Sequence, residues 1–294
     1  MAATSPDLNL PNLTASLAGQ PVGHTIHYHA RVTSTMPLAH ALAATSPSGT
    51  VILADEQTQG RGRLARRWDA PPGLGLLLSV LIKPPYLPEM PAQLPMIGGL
   101  AVAAALEDAW PSVRGHVWLK WPNDILLGRT PTDAGKVGGL LIESALTGAE
   151  MSHAVLGLGL NVHQGPGDLP GVAAHRPRPT SLALFAQEMG TPPLPPLTRG
   201  DLLRALCLAL GDLLAAGAPS PDQIHARWQA RLITLGQTVT VWPVAAELGE
   251  AGKAFIGTAV ATDLTGELIV RSAGGEDRRF SAGDVSTGQP PLGE

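Results

Sequence analysis

A glycine- and arginine-rich segment, residues 57–68, lies between two apolar runs of the chain, at 50–55 and 75–83. Both runs are bounded by Gly or Pro, as buried strands usually are. Glycines and arginines alternate in Gly60–Arg63, in the middle of the joining segment. The backbone N–H and guanidinium groups of such a flexible loop can both face a phosphate or a carboxylate. This order of residues predicts two core strands joined by a cationic loop that closes on a small anionic ligand.

The composition limits the classes of protein to which the chain can belong. Its 294 residues leave room for one large and one small domain, and a net charge of −4 with a pI near 6.1 argues against a dedicated nucleic-acid binder. The single cysteine, Cys207, lies in an apolar helical run, which predicts a buried thiol and a reducing compartment. A secretory signal pattern is missing, and no apolar run reaches the ~20 residues of a membrane helix. We therefore expect a cytoplasmic protein without membrane contact.

Periodicity and turn residues predict an α+β fold. The helices are predicted over 34–44, 95–110, 199–216 and 220–232, and further strands over 117–121, 125–127, 137–145 and 154–162. After Gly236 the pattern changes to short strands separated by Gly turns, which predicts a small SH3-like β-barrel. Residues 163–180 predict no regular structure, and residues 1–23 predict a flexible N-terminal arm.

The segment Lys120–Asp124 ends a predicted strand with the residues Lys-Trp-Pro-Asn-Asp. Proline stops the strand, so Asn123 and Asp124 are expected at its tip. Their amide and carboxylate oxygens can coordinate magnesium or hold a ribose. The alternative is an ordinary turn built on Asn-Asp chemistry.

Two further segments combine glycines with one polar residue. Gly135–Glu143 begins a predicted strand with Lys136 and two glycines, which would let a ligand lie against the backbone. The alternative for Lys136 is a solvated surface charge. Gly157–Asn161 contains Gly-x-Gly, but no third glycine and no helix follow, so a dinucleotide-binding turn is not predicted. These glycines instead relieve crowding in a central strand, and Asn161 offers a polar edge to a base.

Three other residues have both a functional and a structural interpretation. Ser34 and Thr35 begin a predicted helix, where they can cap the helix or bind a polar ligand. Trp68 ends the cationic loop and can stack on a purine or anchor the loop to the core. Arg66 and Arg67 are predicted to be solvated charges.

Taken in order, these segments resemble those of the biotin protein ligases, also called biotin–[acetyl-CoA-carboxylase] ligases. The matching segments are Ser34-Thr35, Glu56–Arg63 with Trp68, Lys120–Asp124, Lys136–Glu143 and Gly157–Asn161. Each motif alone is weak, whereas five in the same order and spacing are specific to the family. The resemblance extends more weakly through residues 226–228 into the small β domain.

The resemblance implies a fold, a division into domains and a reaction. The fold would be a mixed β-sheet flanked by helices, related to class II aminoacyl-tRNA synthetases and lipoate ligases, with the SH3-like barrel after it. The domains would be the flexible arm at 1–23, a biotin- and ATP-binding catalytic domain at 24–234, and the barrel at 236–288. Biotin and Mg-ATP would form biotinyl-5′-AMP. Biotin would then pass to a lysine of a biotin carboxyl carrier protein of acetyl-CoA carboxylase or a similar carboxylase.

The resemblance also implies roles for individual residues. Lys136 and Arg63 would be the catalytic residues, with Lys136 holding the biotin carboxylate and the α-phosphate. The implied contacts are with biotin for Ser34, Thr35, Met36, Gln57, Arg61, Gly62, Arg63, Lys136 and Gly138, and with ATP or its adenylate for Trp68, Lys120, Asn123, Asp124 and Asn161. Asn123 and Asp124 would also serve Mg²⁺.

The chain departs from the family pattern at two places. Leu64-Ala65 replaces a common Arg-Gly, and Met36 stands where Asn is common. Because only residues 1–23 precede the catalytic region, a DNA-binding repressor module and contact with nucleic acid are not expected. The rival functions are a lipoate ligase or octanoyl transferase, and a non-catalytic biotin or nucleotide sensor. The sequence does not distinguish between a monomer and a homodimer.

Overall fold

The computed structural model of the protein describes residues 7–64, 66–148, 150–173, 176–190, 196–242 and 254–287. These residues form two β-sheets and six α-helices. The helices are α1 (Leu10–Ser16), α2 (Thr35–Leu42), α3 (Leu94–Ala109), α4 (Leu182–Met189), α5 (Arg199–Leu214) and α6 (Pro221–Gln229). Within this part of the chain, no helix has the length and apolar content needed to cross a membrane.

Seven strands form the larger sheet. They are β1 (Ile26–Val32), β2 (Val51–Gln57), β3 (Gly75–Ile82), β4 (Val117–Lys120), β5 (Asp124–Leu127), β6 (Gly135–Thr147) and β7 (Glu150–Asn161). Their order is β1-β2-β3-β7-β6-β5-β4, with β1 and β2 parallel and the other neighbours antiparallel. All of β3 is buried, as expected for a continuous apolar run at the middle of a covered sheet. The predicted mixed β-sheet flanked by helices is confirmed.

Helices cover both faces of this sheet. On one face α3 packs against α5, and residues such as Val51 and Leu53 of β2 belong to the main core beneath them. On the other face α2 contacts β2, β3 and β7 over a smaller cluster that contains Met36 and Ile52. Neighbouring residues of β2 face opposite sides because side chains alternate along a strand. The predicted buried thiol is confirmed, since Cys207 in α5 is buried and its pKa is raised to about 12 by burial.

The N-terminal segment packs against the protein, so the predicted flexible arm is wrong for residues 7–23. Leu8, Leu13 and Leu17 are buried in the main core, and α1 lies against α5. Pro11 fits the first turn of α1, where a missing N–H costs nothing. Residues 1–6 lie outside the described residues.

Five antiparallel strands form the second sheet. They are β8 (Thr238–Trp242), β9 (Phe255–Thr262), β10 (Leu268–Arg271), β11 (Asp277–Phe280) and β12 (Asp284–Thr287), in the order β11-β10-β9-β8-β12. The predicted small all-β, SH3-like unit is confirmed, although the sequence prediction did not include β12 or α4. The boundaries 24–234 and 236–288 stay a prediction, and residues 243–253 and 288 are outside the described residues.

Hydrogen bonds join the second sheet and its turns to the rest of the protein. Trp121 Nε1 donates a hydrogen bond to the Gly266 carbonyl at 2.8 Å, and Gln93 Nε2 donates one to the Leu264 carbonyl at 2.9 Å. Lys120 Nζ donates a hydrogen bond to the carbonyl of Val285 in β12. These contacts bring one end of the second sheet next to the tip of β4.

Candidate active site

A cavity of about 200 Å³ lies over the middle of the seven-stranded sheet. Strands β3, β6 and β7 form its floor. Its walls are the loop 61–68, of which the structure describes all but residue 65, the turn 121–124, the segment 176–179 and residues 283–285 at the start of β12. The sequence-predicted site residues that line it are Ser34, Thr35, Met36, Gln57, Arg61, Gly62, Arg63, Trp68, Lys120, Asn123, Asp124, Lys136 and Asn161. The fold thus brings motifs from distant parts of the chain to one cavity.

Glycines in β7 make space for two large side chains of the cavity. A Cβ atom on Gly157 would lie 2.9 Å from the Met36 sulfur, and one on Gly159 would lie 2.4 Å from Cε2 of Trp68. Because β7 is the central strand of the sheet, the prediction that these glycines relieve crowding in a central strand is confirmed. Met36 and the Trp68 indole therefore lie directly against the sheet.

Gly138 is the predicted site residue that does not line the cavity, and its implied biotin contact stays a prediction. A Cβ on Gly138 would meet the Gly159 carbonyl oxygen and Leu160 Cδ1, both at 3.0 Å, which places that face of the strand against protein. The next residue, Gly139, lines the cavity instead. A shift of one residue along a strand changes the face, because the side-chain period is two.

The start of α2 and the end of β2 hold each other in place. The Thr35 backbone N–H donates to Gln57 Oε1 at 2.8 Å, and Thr35 Oγ1 lies 3.2 Å from the same oxygen and 2.8 Å from Ser79 Oγ. The amide group Nε2 of Gln57 is then the part of that side chain left to bind a ligand. Ser34 is at the N-cap of α2, yet its buried Oγ has no hydrogen-bond partner among the described residues.

The cationic loop is folded as an irregular hairpin over the cavity. The Gly62 N–H donates to the Arg66 carbonyl at 2.8 Å, and the Trp68 N–H donates to the Gly60 carbonyl at 2.9 Å. Leu64, which stands where the family commonly has the Arg of Arg-Gly, adopts a left-handed φ of 56°. That conformation costs a leucine about 1 kcal/mol or more, so contacts elsewhere must hold the loop in this form.

Lys136 lies at the start of β6 and forms an ion pair with Asp124. Its Nζ is 2.6 Å from Asp124 Oδ1 and 5.7 Å from the centre of the Trp68 ring. Its backbone pairs with the wall segment 176–179 and the residue after it, because the Lys136 N–H donates to the Arg178 carbonyl at 2.7 Å and the Lys136 carbonyl accepts from the Thr180 N–H at 2.8 Å. This lysine is therefore a fixed, paired charge in the cavity, and its alternative interpretation as a solvated surface charge is wrong.

Two asparagines of the site use their side chains to hold protein segments. Asn123 Nδ2 donates to the Leu140 carbonyl at 2.6 Å, which ties the 121–124 turn to β6. Asn161 Nδ2 donates to the Thr180 carbonyl at 2.9 Å, and its Oδ1 accepts from Gln164 at 3.2 Å. Contact of Asn161 with a base would require this arrangement to change, whereas Asn123 Oδ1 has no protein hydrogen bond among those of the described residues.

Lys120 is a buried cation between the two sheets. Its side chain donates to the Val285 carbonyl, and burial lowers its pKa although Asp124 and Asp284 act in the opposite direction. An ammonium with few water molecules around it interacts more strongly with an incoming anion than an exposed one does. Lys120 is therefore placed to attract negative charge into the cavity.

Sequence reasoning missed several charged residues of the cavity wall. Arg66 was predicted to be solvated, but it forms an ion pair with Asp284, so that prediction is wrong. Arg67 pairs with Asp69 and stays mostly exposed, although it lines the cavity. Arg176 and Asp284 were not singled out. The position of Arg66 two residues before Trp68 was an available signal, whereas no local pattern marks Asp284.

The cavity is strongly cationic in a chain that is acidic overall. Its lining contains seven Lys or Arg side chains and three Asp side chains, whereas the net charge of the chain is −4. Such a site lowers the repulsion between two anions held next to each other. In the described part of the chain, no group of three or more His, Cys, Asp or Glu side chains is arranged to hold a metal ion. The arrangement suits the joining of two anionic groups by electrostatic stabilisation.

Comparison with known proteins gives a consistent result. Residues 28–161 match the model of the biotin/lipoate A/B protein ligase family. The chain is 34% identical over 150 residues to the bifunctional ligase/repressor BirA of Bacillus subtilis, a match that spans 51% of this chain but 44% of that relative. It is 33% identical over 256 residues to the biotin–[acetyl-CoA-carboxylase] ligase of Paracoccus denitrificans, which covers 84% of this chain and 94% of the relative.

Solved structures show the same similarity in three dimensions. The biotin protein ligase of Aquifex aeolicus, in complex with biotin and ATP, superposes with a TM-score of 0.63 at 25% identity, covering 90% of this chain and 99% of that one. The similarity therefore extends over most of this chain, beyond residues 28–161 that the family model matches. This chain belongs to the biotin/lipoate A/B protein ligase family and, within it, to the biotin–[acetyl-CoA-carboxylase] ligases.

Proposed function

We propose that the protein activates biotin with ATP and transfers it to a lysine of a biotin carboxyl carrier protein in the cytoplasm. In the first step a biotin carboxylate oxygen attacks the α-phosphorus of ATP, so that a carboxyl–phosphate anhydride forms and pyrophosphate leaves. In the second step the neutral amine of the carrier lysine attacks the biotinyl carbonyl, an amide forms, and AMP leaves as the amine loses a proton. The observation that carries the proposal is the cationic cavity that surrounds Lys136.

The biotin end of the cavity is proposed to lie between α2 and β2. The unpartnered Oγ of Ser34 and the remaining Nε2 group of Gln57 offer a hydroxyl and a donor to the ureido ring. Thr35 holds the Gln57 amide in one orientation through Oε1. Met36, which packs on Gly157, supplies an apolar surface for the rest of the ring system. A buried hydroxyl without a partner is the feature that a ligand contact would explain.

The reacting groups are proposed to meet at Lys136. Its ammonium is compact and already lies in the cavity, so it can exchange Asp124 for the biotin carboxylate and the α-phosphate oxygens. Arg61, Gly62 and Arg63 in the loop would add guanidinium and backbone N–H donors above the same groups. The carboxylate is ionised at neutral pH, so the first step needs positioning and charge stabilisation and does not need a general base.

The nucleotide end is proposed to lie between Trp68, Lys120 and the 121–124 turn. Trp68 would pack against adenine, and Lys120 would attract the phosphates. Asn123 and Asp124 fit a Mg²⁺ ion that takes most of its ligands from phosphate and water, because Asn123 Oδ1 and one carboxylate oxygen of Asp124 have no hydrogen bond to the described residues. When bound, Mg²⁺ would supply neutralisation of the charge on the leaving pyrophosphate.

Transfer to an added carrier domain tests the proposal. The purified protein is incubated with ATP, Mg²⁺, a biotin carboxyl carrier domain and either biotin or lipoate, and the carrier mass is measured. We expect the mass to rise by one biotinyl group, at the carrier lysine, and to stay unchanged with lipoate. Lipoylation would favour the lipoate ligase alternative. An unchanged mass with both acids would favour a binding-only sensor and would contradict the enzymatic proposal.

Replacing Arg63 with glycine is expected to release the adenylate. Arg63 lies in the loop over the cavity, so its loss should leave adenylate formation partly intact and weaken the shielding of biotinyl-5′-AMP from water. Free biotinyl-5′-AMP in the medium should rise about tenfold, as expected for one lost charge-assisted hydrogen bond. Chromatography of ultrafiltered reaction mixtures measures it. Arg271→Ala, at an exposed position of β10 in the second sheet, is the control, and equal release by both variants would contradict the shielding role.

A further inference from the structure

One carboxylate in β12 joins two separate walls of the cavity. Asp284 Oδ1 accepts a hydrogen bond from Arg66 Nη1 at 3.0 Å, and Asp284 Oδ2 accepts a second from Arg66 Nη2. The same Oδ2 lies 3.6 Å from Nη2 of Arg176. Arg66 belongs to the loop 61–68, Arg176 to the wall segment 176–179, and all three residues line the cavity. A planar guanidinium that meets a carboxylate through two parallel bonds holds both partners in one orientation.

The Asp284 carboxylate is partly buried, and the neighbouring cations stabilise its ionised form. The Asp284 side chain is 27% exposed and that of Arg66 is 37% exposed. Burial opposes ionisation of Asp284, but the hydrogen bond and charge of Arg66, with the charges of Arg176 and Lys120, outweigh it and hold its pKa below the ordinary value. An ion pair in this environment is screened less by salt than one between exposed side chains.

The strand that carries Asp284 is itself anchored at the cavity. Asp284 pairs with Trp242 and Val285 with Val241 in the ladder between β12 and β8. The Val285 carbonyl, one residue further along the chain, accepts the hydrogen bond from the buried Lys120. A carboxylate on a fixed strand can restrain a loop that has little regular structure of its own. The strained left-handed Leu64 requires such a restraint.

We propose that Asp284 is a positioning residue that clasps Arg66 and Arg176 and so keeps the loop 61–68 and the segment 176–179 closed over the site. The proposal rests on the proposed function for its consequence in catalysis, since a closed loop would retain the acyl-adenylate. It also gives the second sheet a role at the site, because β12 holds Asp284 in a fixed position. Two donors of Arg66 are used by Asp284, and the remaining guanidinium donors are available to a phosphate.

Limited trypsin digestion of the ligand-free protein tests the clasp directly. Cleavage after Arg61 and Arg63, two other arginines of the same loop, is followed by mass spectrometry in the wild type, Asp284→Asn and Asp284→Glu. We expect Asp284→Asn to be cleaved there about tenfold faster, the change that corresponds to one lost charge-assisted pair, and Asp284→Glu to be partly restored. Asp277→Asn is the matched control, because Asp277 pairs with Arg271 on the same sheet far out in solvent.

Two outcomes overturn the clasp. One is equal cleavage of Asp284→Asn and the Asp277→Asn control at Arg61 and Arg63. The other is faster cleavage spread equally over the chain, including sites within α5 and α6, which would mean general unfolding. In enzymatic assays the clasp predicts about a tenfold higher KM for ATP in Asp284→Asn, with more free adenylate and a smaller change in kcat. The digestion needs no substrate, so it can fail while the enzyme is active, and it can succeed if no biotin-dependent activity exists.

Discussion

Alanine in place of Lys136 is expected to slow biotinyl-adenylate formation about a thousandfold, the loss typical of a removed electrostatic contact to a developing charge. The lysine is the ammonium at which the biotin carboxylate and the α-phosphate are proposed to meet. Its removal leaves these two anions to repel each other and leaves Asp124 without its cation, which adds a further negative charge to the same place. Both effects raise the barrier of the first step.

Single-turnover formation of biotinyl-5′-AMP in Lys136→Ala and Lys136→Arg measures this effect. The arginine variant keeps the charge but replaces a compact ammonium with a planar fork, so we expect an intermediate rate. Arg271→Ala removes a cation from an exposed pair on the second sheet and should behave as the wild type. A loss smaller than about tenfold in Lys136→Ala would mean that another cation of the cavity carries the reaction.

Alanine in place of Arg199 is expected to lower the free energy of unfolding by about 3–5 kcal/mol. The Arg199 side chain is 1% exposed and joins Asp7 of the N-terminal segment to Asp55 of β2. Its Nη2 is 2.7 Å from Asp7 Oδ1 and its Nη1 is 2.7 Å from Asp55 Oδ1, while Tyr28 donates to the other oxygen of Asp55. Without the guanidinium, two partly buried carboxylates lose their cation and face each other's charge.

Urea unfolding of Arg199→Ala and the wild type measures the loss, with Arg279→Ala as the control. Arg279 pairs with Asp263 at the surface of the second sheet, where such a pair contributes less than about 1 kcal/mol. A loss below about 1 kcal/mol in Arg199→Ala would contradict the assignment of this network as a main support of the N-terminal segment.

The same network predicts a dependence on pH. Burial raises the pKa of Asp7, but the hydrogen bonds and charge of Arg199 outweigh it, so the pKa in the folded protein lies below the ordinary value. The pairing therefore stabilises the fold above the unfolded pKa of about 4, and this contribution is lost as the pH falls through the folded pKa. The difference between wild type and Arg199→Ala should accordingly shrink below about pH 4.

The sequence predicted which segments form the site, because the motifs lie at strand ends. It predicted the contacts of individual residues less well. Lys120–Asp124 ends β4, Lys136 begins β6, and Asn161 ends β7, so a mixed sheet with these strands adjacent brings them together. The sequence did not determine on which face of its strand each residue lies. Gly138 and Gly139 are both plausible from sequence, and a bulge in the pairing of β5 with β6 removes simple counting as a guide.

What the sequence did not reveal depends on contacts between distant segments. The N-terminal leucines showed no period that a short helix would need, yet α5 and the core cover them. Arg66 and Asp284 are 218 residues apart, and neither has a neighbour that marks its partner. Local patterns record strands, turns and caps, whereas an ion pair between two sheets becomes visible only once their packing is known.

Exchange between ATP and labelled pyrophosphate is the measurement that tests the central claim most directly. If the cavity joins the carboxylate of biotin to the α-phosphate of ATP, label must enter ATP when biotin is present, and only then, in the absence of any carrier protein. The Lys136→Ala variant must lose this exchange while it still folds. Exchange that proceeds at the same rate without biotin, or no exchange with biotin at saturating ATP and Mg²⁺, would contradict the account.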